Sequence, residues 1–421
     1  MTEVKAASPE ARSTGTVLGP EFVQGAGPWL YAEDGTAWFD GTAGSGAVTL
    51  GHQHPAVTAA AVAQLGRLTA TGCKLGSDAR RRMTARLARL SPYRDPAVLP
   101  TATGAEAVES ALKIARAATG HRGVVAFRHG YHGKTAGALA LTWRPEFKPY
   151  SALPDGEVGT VELPDPRHPR PDDDERLRAS LTAALDASDA RGGTAAVVLE
   201  PVQVTEGVLA VAPAVLDEIA RQAHARGALL VLDEIYTGLG RAGRLFTAEL
   251  MAERPDLTLV GKTLGNGFPV AAVVGEREIV DALPPGVQTS TFSGQPVSCA
   301  AAAAVLETLE AEDLPARARA LGARLADDLA ALSLRHPWMA SIRTVGALAA
   351  FDCVRDSAPD PALARAVTSA ALRGRLLLFG GGPEGATVKI VPPALLTEDD
   401  YRYLADGLAA ALDAAGRGEP A

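Results

Sequence analysis

Five short runs in this chain are apolar at nearly every position rather than at every second one: Val124–Phe127, Ala195–Glu200, Leu229–Asp233, Leu257–Val260 and Val270–Gly275. A strand wetted on one side alternates apolar and polar residues, so unbroken runs read as strands covered on both faces. Between them lie stretches of helical length and period. Glu106–Ala118 is one, and Pro213–Ala225 is another, opened by proline in its first turn and closed by Gly227. Strands alternating with helices predict an α/β fold built on a largely parallel, doubly wound sheet.

A chain of 421 residues is long for one core, and the pattern divides it. Residues 61–315 carry the strand–helix alternation, with the alanine-rich Ser298–Val305 read as helix. Beyond about residue 315 come a long Arg/Ala/Leu helix, strands near Gly346–Asp352 and Thr387–Val391, and a terminal helix from about Thr397. This predicts a smaller α+β unit over 316–421. Residues 1–60 are expected to join it, with a polar arm over the first fifteen or so and a hairpin, Trp29-Leu-Tyr and Ala37-Trp-Phe, turned at Ala32-Glu-Asp-Gly35. Pro164–Glu175, dense in Pro and Asp, is expected as a solvated loop.

A net charge of -8 without a Lys/Arg-rich stripe argues against a nucleic-acid partner. No basic-then-apolar leader opens the chain and no apolar run reaches membrane-spanning length, so a cytoplasmic protein is expected. Cys73, Cys299 and Cys353 are widely spaced and read as reduced thiols. Gly51-His-Gln-His-Pro55 brings two histidines together with no third ligand nearby, which fits a loop or cap, so no metal site is expected.

Lysine is scarce, and Lys262 ends an apolar run at a Gly-rich turn, Gly261-Lys-Thr-Leu-Gly-Asn-Gly267. A lysine at the end of a buried strand, beside glycines that admit a ligand, is a candidate imine-forming amine; a side chain snorkelling to solvent is the plainer alternative. Asp233 follows five apolar residues at a strand's carboxyl end, where open α/β sheets bind ligands. It is either an acidic cap or a buried carboxylate that needs a cation, for which a protonated pyridine nitrogen would serve. Thr101-Ala-Thr-Gly-Ala-Glu-Ala107 leads into a helix and offers either an N-cap or an anion cradle. Tyr131-His-Gly133 places an aromatic where it would stack on a planar ring or simply pack. Gln288-Thr-Ser-Thr-Phe-Ser-Gly294 suits a second phosphate contact or an ordinary turn. Gly238-Leu-Gly-Arg-Ala-Gly243 matches a dinucleotide fingerprint, an NAD-binding oxidoreductase reading that requires a helix directly after it and an acid about twenty residues on.

Taken in order, Thr103-Gly-Ala-Glu-Ala107, Tyr131-His-Gly133, Glu200-Pro-Val-Gln203, Asp233-Glu with Gly238–Gly243, Gly261-Lys-Thr-Leu-Gly-Asn-Gly-Phe-Pro269 and Thr291-Phe-Ser-Gly-Gln-Pro296 resemble the class III aminotransferases, a fold-type I pyridoxal-phosphate group. The resemblance runs over nearly the whole chain. It implies a large domain around a mixed, mostly parallel seven-stranded sheet, with a small α+β domain built from both termini. It implies pyridoxal 5'-phosphate as cofactor, an amino donor and a carbonyl acceptor as partners, ping-pong transfer, and a homodimer with shared sites.

Carried over by position, the resemblance implies that Lys262 forms the internal aldimine and then moves the proton, while Asp233 pairs with the pyridine nitrogen. Tyr131 would stack on the ring, and the Gly104 and Ala105 amides would hold the phosphate. Thr291 would reach the neighbouring subunit's phosphate, with His132, Glu200 and Tyr236 completing the cofactor contacts. Ser45, Trp143, Glu206 and Lys389 are the expected substrate contacts.

Two departures stand out. Tyr236 occupies a position where relatives usually carry Gln or His. Lys389 and Thr205 occupy those of an arginine and of the acid that often gates it, with Glu206 one step later. Lysine offers a point charge instead of a bidentate fork, so a terminal amine or a biosynthetic intermediate is expected as substrate, with a solvated Lys389 as the alternative. The same lysine and electron sink would also support a racemase, aminomutase or decarboxylase.

Overall fold

A computed structural model of the chain describes residues 11, 13, 19–151, 153 and 156–418, so most of the expected N-terminal arm lies outside the described residues. A seven-stranded sheet runs in the order Pro96–Thr101, Ala271–Glu276, Leu257–Val260, Leu229–Asp233, Thr194–Leu199, Gly123–Phe127, Val158–Val161. From Leu257–Val260 to Val158–Val161 every neighbouring pair is parallel, while Ala271–Glu276 runs antiparallel to both its neighbours. The five expected strands all lie in this sheet, with ends within one residue of those read from sequence.

Both faces are covered, which is why these strands do not alternate. Val124, Ala126, Val231, Leu259 and Val273 share a core with Val108, Leu112 and Ile114 of the helix Gly104–Thr119. The intervening Val125, Phe127, Val197, Leu232 and Val274 share the opposite core with helices Asp78–Leu90, Pro213–Ala225 and Pro296–Ala311. Each such aliphatic side chain contributes roughly 1.5–3 kcal/mol over remaining exposed, so the sheet selects apolar residues on both sides.

The two strands not expected from sequence are the edges. Pro96–Thr101 holds two prolines, which an edge strand tolerates because its outer amides need no partner. Val158–Val161 is short and, among the described residues, pairs only with Gly123–Phe127.

The hairpin is part of a meander, Phe22–Ala26, Trp29–Ala32 and Ala37–Asp40, which Leu376–Leu377 extends in parallel, so the two ends of the chain share a sheet. Farther on, Met339–Val345, Leu348–Arg355, Thr387–Ile390 and Phe379–Gly381 form another sheet. Helices Leu314–Ser333, Pro361–Arg373 and Glu398–Gly416 flank this region, the last capped by Thr397 and Asp400.

The Pro164–Glu175 segment is mostly the exposed loop expected, with two departures. A helix, Asp173–Asp189, starts inside it. Arg167 is buried against Asp165, with Asp352 and Glu384 within 3.6 Å. The loop is pinned because buried Asp352 needs cationic partners, and Arg343 supplies another at 2.8 Å.

Candidate active site

The parallel strands end on one edge, and the loops leaving that edge close a cavity of about 250 Å³. Gly104, Ala105, Tyr131, His132, Glu200, Asp233, Tyr236 and Lys262 all line it, as their motifs led us to expect. Asp233 ends the Leu229–Asp233 strand and is buried; one carboxyl oxygen accepts from the Ile235 amide at 3.1 Å and the other meets His132 Nδ1 at 2.7 Å. His132 Nε2 is buried without a hydrogen-bond partner. Glu200 follows the Thr194–Leu199 strand and accepts the Tyr131 amide at 2.7 Å. Burial, then the neighbouring Asp233 carboxylate, push Glu200 well above the usual carboxylate range. Both carboxyl groups line the cavity.

Lys262 opens a 3-10 turn at a left-handed φ of 39°, a strained setting for a side-chain-bearing residue. Its Nζ lies 3.3 Å from the centre of the Tyr236 ring. Burial brings this amine down to about 7, against the pull of Glu200 and Asp233. A neutral amine is a nucleophile and a proton acceptor, and an ordinary lysine would be almost wholly protonated near pH 7. Burial also pushes the Tyr236 phenol up to about 12, so it remains a hydrogen-bond donor.

Opposite, Thr103 caps the helix Gly104–Thr119 by accepting the Glu106 amide. The Gly104 and Ala105 amides make no described hydrogen bond and point out of the helix start, where the dipole favours an anion. A cavity lined by a helix start with free amides, a buried carboxylate and an amine lowered toward neutrality fits pyridoxal phosphate.

Other expected contacts are placed differently. Ser45, Trp143, Glu206, Lys389 and Thr291 do not line this cavity. Ser45 and Thr291 are exposed. Ser45 belongs to a turn, Ala43–Gly46, with φ values of 47°, 58°, 61° and 83°. A β-carbon on Gly46 would stand 2.5 Å from the Tyr236 ring, so glycine is required there. Trp143 is engaged outside the cavity, with the Arg128 guanidinium 4.4 Å from its ring centre. Lys389 is not a solvated surface lysine: its Nζ donates to the Thr205 carbonyl at 3.0 Å, and burial lowers it to about 8. Thr205 does line the cavity, as does Gly133 of the Tyr131-His-Gly133 motif; Lys134 and Ile235 also line it and were not singled out from sequence. Arg144, also unexpected, pairs with Glu206 at 2.8 Å.

The dinucleotide reading of Gly238–Gly243 fails on geometry. No helix follows the segment directly. It doubles back instead, with Leu239 donating to Leu245 and Gly240 to Arg244. Gly51-His-Gln-His-Pro55 is a loop, in which His52 Nε2 meets Asp40 at 2.8 Å. Among the described residues no group of three or more His, Cys, Asp or Glu is arranged to hold a metal, and no helix is long and apolar enough to cross a membrane.

The family model for Aminotransferase class-III matches residues 12–412. The chain belongs to the class III aminotransferases. The 4-aminobutyrate aminotransferase GabT of Escherichia coli K12 is 35% identical over 382 residues, covering 89% of this chain and 88% of GabT. Among solved structures, the ornithine aminotransferase of Toxoplasma gondii ME49 superposes with a TM-score of 0.85 at 29% identity, covering 96% of this chain and 93% of that one. An amine transaminase from an uncultivated Pseudomonas species, solved in a PLP-bound form, has a TM-score of 0.84 at 27% identity and covers 99% of each chain.

This aminotransferase is therefore a fold-type I, pyridoxal-phosphate-dependent enzyme that transfers an amino group to a carbonyl acceptor. The bound cofactor supplies the electron sink that makes the donor's C–H bond acidic, and the protein aims that bond and manages its proton.

Proposed function

We propose that this aminotransferase takes its amino group from a terminal amine or a biosynthetic intermediate that also carries an anionic group, delivers it to an aldehyde or ketone, and works as a cytoplasmic homodimer. The observation that carries the substrate reading is Lys389. It is a half-buried cation beside the cavity that bonds a neutral carbonyl and appears in no described ion pair, while the adjacent Glu206 is held by Arg144. The naming of GabT for 4-aminobutyrate, a terminal amine, supports the same class.

In this reading Lys262 carries the cofactor through Nζ and afterwards shuttles a proton, for which an amine near 7 is matched to neutral pH. Asp233, oriented by His132, would pair with the ring nitrogen and keep it protonated. Tyr131 would pack on the ring, Tyr236 would donate to its phenolic oxygen, and the Gly104 and Ala105 amides would hold the phosphate. Thr291, exposed on its own chain, serves the neighbouring subunit's site. Ser45 and Trp143 act at the mouth. The division into 1–60, 61–315 and 316–421 belongs to this proposal, with both boundaries shifted to helix starts, ahead of Pro55 and ahead of Leu314, because residues 60 and 316 lie inside the helices Pro55–Leu65 and Leu314–Ser333.

The test is to mix the pyridoxal form with glutamate, alanine, 4-aminobutyrate and several uncharged ω-amines and follow the spectral change to the amine form. Fast turnover of anion-bearing terminal amines is expected. Exclusive turnover of simple α-amino acids overturns the substrate reading, and a single-subunit mass in solution overturns the dimer.

A further inference from the structure

Arg241, inside the Gly238–Gly243 loop, is the largest fully buried side chain among the described residues, and the cofactor chemistry leaves it without a role. A guanidinium in that setting demands a strong compensating reason, because burying a charge is costly unless its donors are met. None of the described ion pairs includes it. Its donors reach neutral oxygens instead: Nε and Nη2 reach Thr49 Oγ1 at 3.1 and 2.6 Å, Nη2 the Gly46 carbonyl at 3.2 Å, and Nη1 the Pro392 carbonyl at 3.4 Å.

Each of these acceptors leads to the site. Gly46 ends the left-handed turn on which the Tyr236 ring rests. Thr49 Oγ1 lies 2.6 Å from Thr263 Oγ1, one residue beyond Lys262. Pro392 follows the strand that carries Lys389. The loop that supplies Arg241 turns tightly through Gly240 at φ 97° and Gly243 at φ 82°, which explains its glycine spacing without a nucleotide.

We propose that Arg241 is a positioning residue of this site, tying the left-handed turn 43–46 and the Thr49–Thr263 pair into one frame that seats the Tyr236 ring against Lys262 Nζ. The inference rests on the reading of Lys262 as the cofactor-bearing amine. The frame has an electrostatic side as well. Lys262 faces Glu200 and Asp233, which favour its charged form, and Arg241 and Lys389, which oppose it; Tyr236 faces Arg241, Asp40 and Glu200. Burial lowers Arg241 only to about 10, so it remains a cation at neutral pH and helps to keep Lys262 neutral.

The test compares Arg241→Met, Arg241→Lys and Thr49→Val by two readouts on the holoenzyme: amide exchange over residues 43–51, and the pH midpoint of the cofactor's visible band. Arg241→Met removes both fork and charge. It is expected to raise the midpoint by about one pH unit and to speed exchange on the order of tenfold in that segment, with the Glu398–Gly416 helix unchanged. Arg241→Lys keeps the charge, so its midpoint stays near wild type while exchange rises. Thr49→Val does the same.

A folded Arg241→Met with wild-type exchange and midpoint overturns the proposal. Should that variant not fold, unaltered exchange over 43–51 in both other variants overturns it equally. A wild-type protein without a visible band, or without a borohydride-fixed adduct on Lys262, refutes the cofactor-lysine reading instead, and exchange measured without cofactor still decides the role of Arg241.

Discussion

The floor of the cavity and its mouth are built by different means. The floor groups, Asp233, Glu200, His132 and Lys262, leave the carboxyl ends of neighbouring parallel strands or the loops directly after them, and their positions follow from the order of the sheet. The groups that the proposed function assigns to the mouth, Trp143, Arg144, Glu206 and Lys389, come from separate loops and from a strand of a different sheet. Floor contacts are made between buried partners, as in the 2.7 Å contact of His132 with Asp233. At the mouth, Arg144 is 35% exposed on its side chain while its partner Glu206 is buried, so water competes on one side only. The sheet therefore fixes the floor groups, while the proposed function leaves substrate selection to side-chain pairing at the mouth.

This contrast breaks most sharply at Lys262. Lys262→Ala should reduce amino transfer by about 10⁴-fold or more, since both covalent capture and proton transfer pass through one nitrogen. Steady-state transfer with any accepted donor measures it, and a loss below tenfold would falsify the assignment. Asp233→Asn comes next, at roughly 10² to 10³ in kcat, because a neutral amide cannot hold the ring nitrogen protonated. Cofactor should still bind through the helix start, so a retained visible band with lost turnover is the expected pair of results.

The pH dependence follows from the direction of the Lys262 shift. Burial depresses its folded value to about 7 from an ordinary 10.5, so Nζ is mostly protonated below pH 7 and mostly neutral above it. Cofactor capture by the apoenzyme should rise about tenfold per pH unit below the midpoint and level off above it. A midpoint near 10 sinks the idea of a desolvated amine. By linkage, the folded apoenzyme holds fewer protons than the unfolded chain between about pH 7 and 10.5. This group's contribution to stability therefore rises with pH across that window, and Lys389, lowered to about 8 by burial, acts in the same direction.

The floor was legible in the sequence for the reason that it is rigid. Unbroken apolar runs located the strands, and an acid or a lysine directly after such a run could only fall on the sheet's ligand edge. The six ordered motifs then supplied roles for Tyr131, Glu200 and the Gly104–Ala105 amides, and all of these residues line one cavity. The edge strand Pro96–Thr101 was hidden by its prolines. The Gly-rich Gly238–Gly243 loop imitated a nucleotide fingerprint because tight turns and phosphate cradles draw on the same residue. Arg144 had no signal at all, since its meaning lies in a contact with Glu206, 62 residues away, that no local pattern encodes.

The mouth can be probed by separating its two cations. Lys389 bonds only the Thr205 carbonyl among its described hydrogen bonds and ion pairs, so an arriving carboxylate gains a charged partner without displacing another anion. Lys389→Met should therefore raise KM for an anion-bearing amine about tenfold and leave uncharged ω-amines nearly unaffected, at a modest effect on kcat. Arg144 is already committed to Glu206, with Glu146 3.6 Å away on its other side. Its removal also leaves a buried Glu206 without its cation, so the useful change is the double variant Arg144→Met with Glu206→Gln, which deletes the pair and conserves net charge. If Arg144 contributes only by neutralising Glu206, the double variant should shift KM by less than about threefold and its salt dependence hardly at all. A tenfold or larger rise confined to anionic substrates would mean that Arg144 itself reaches the substrate, and the mouth would then hold two anion receptors rather than one.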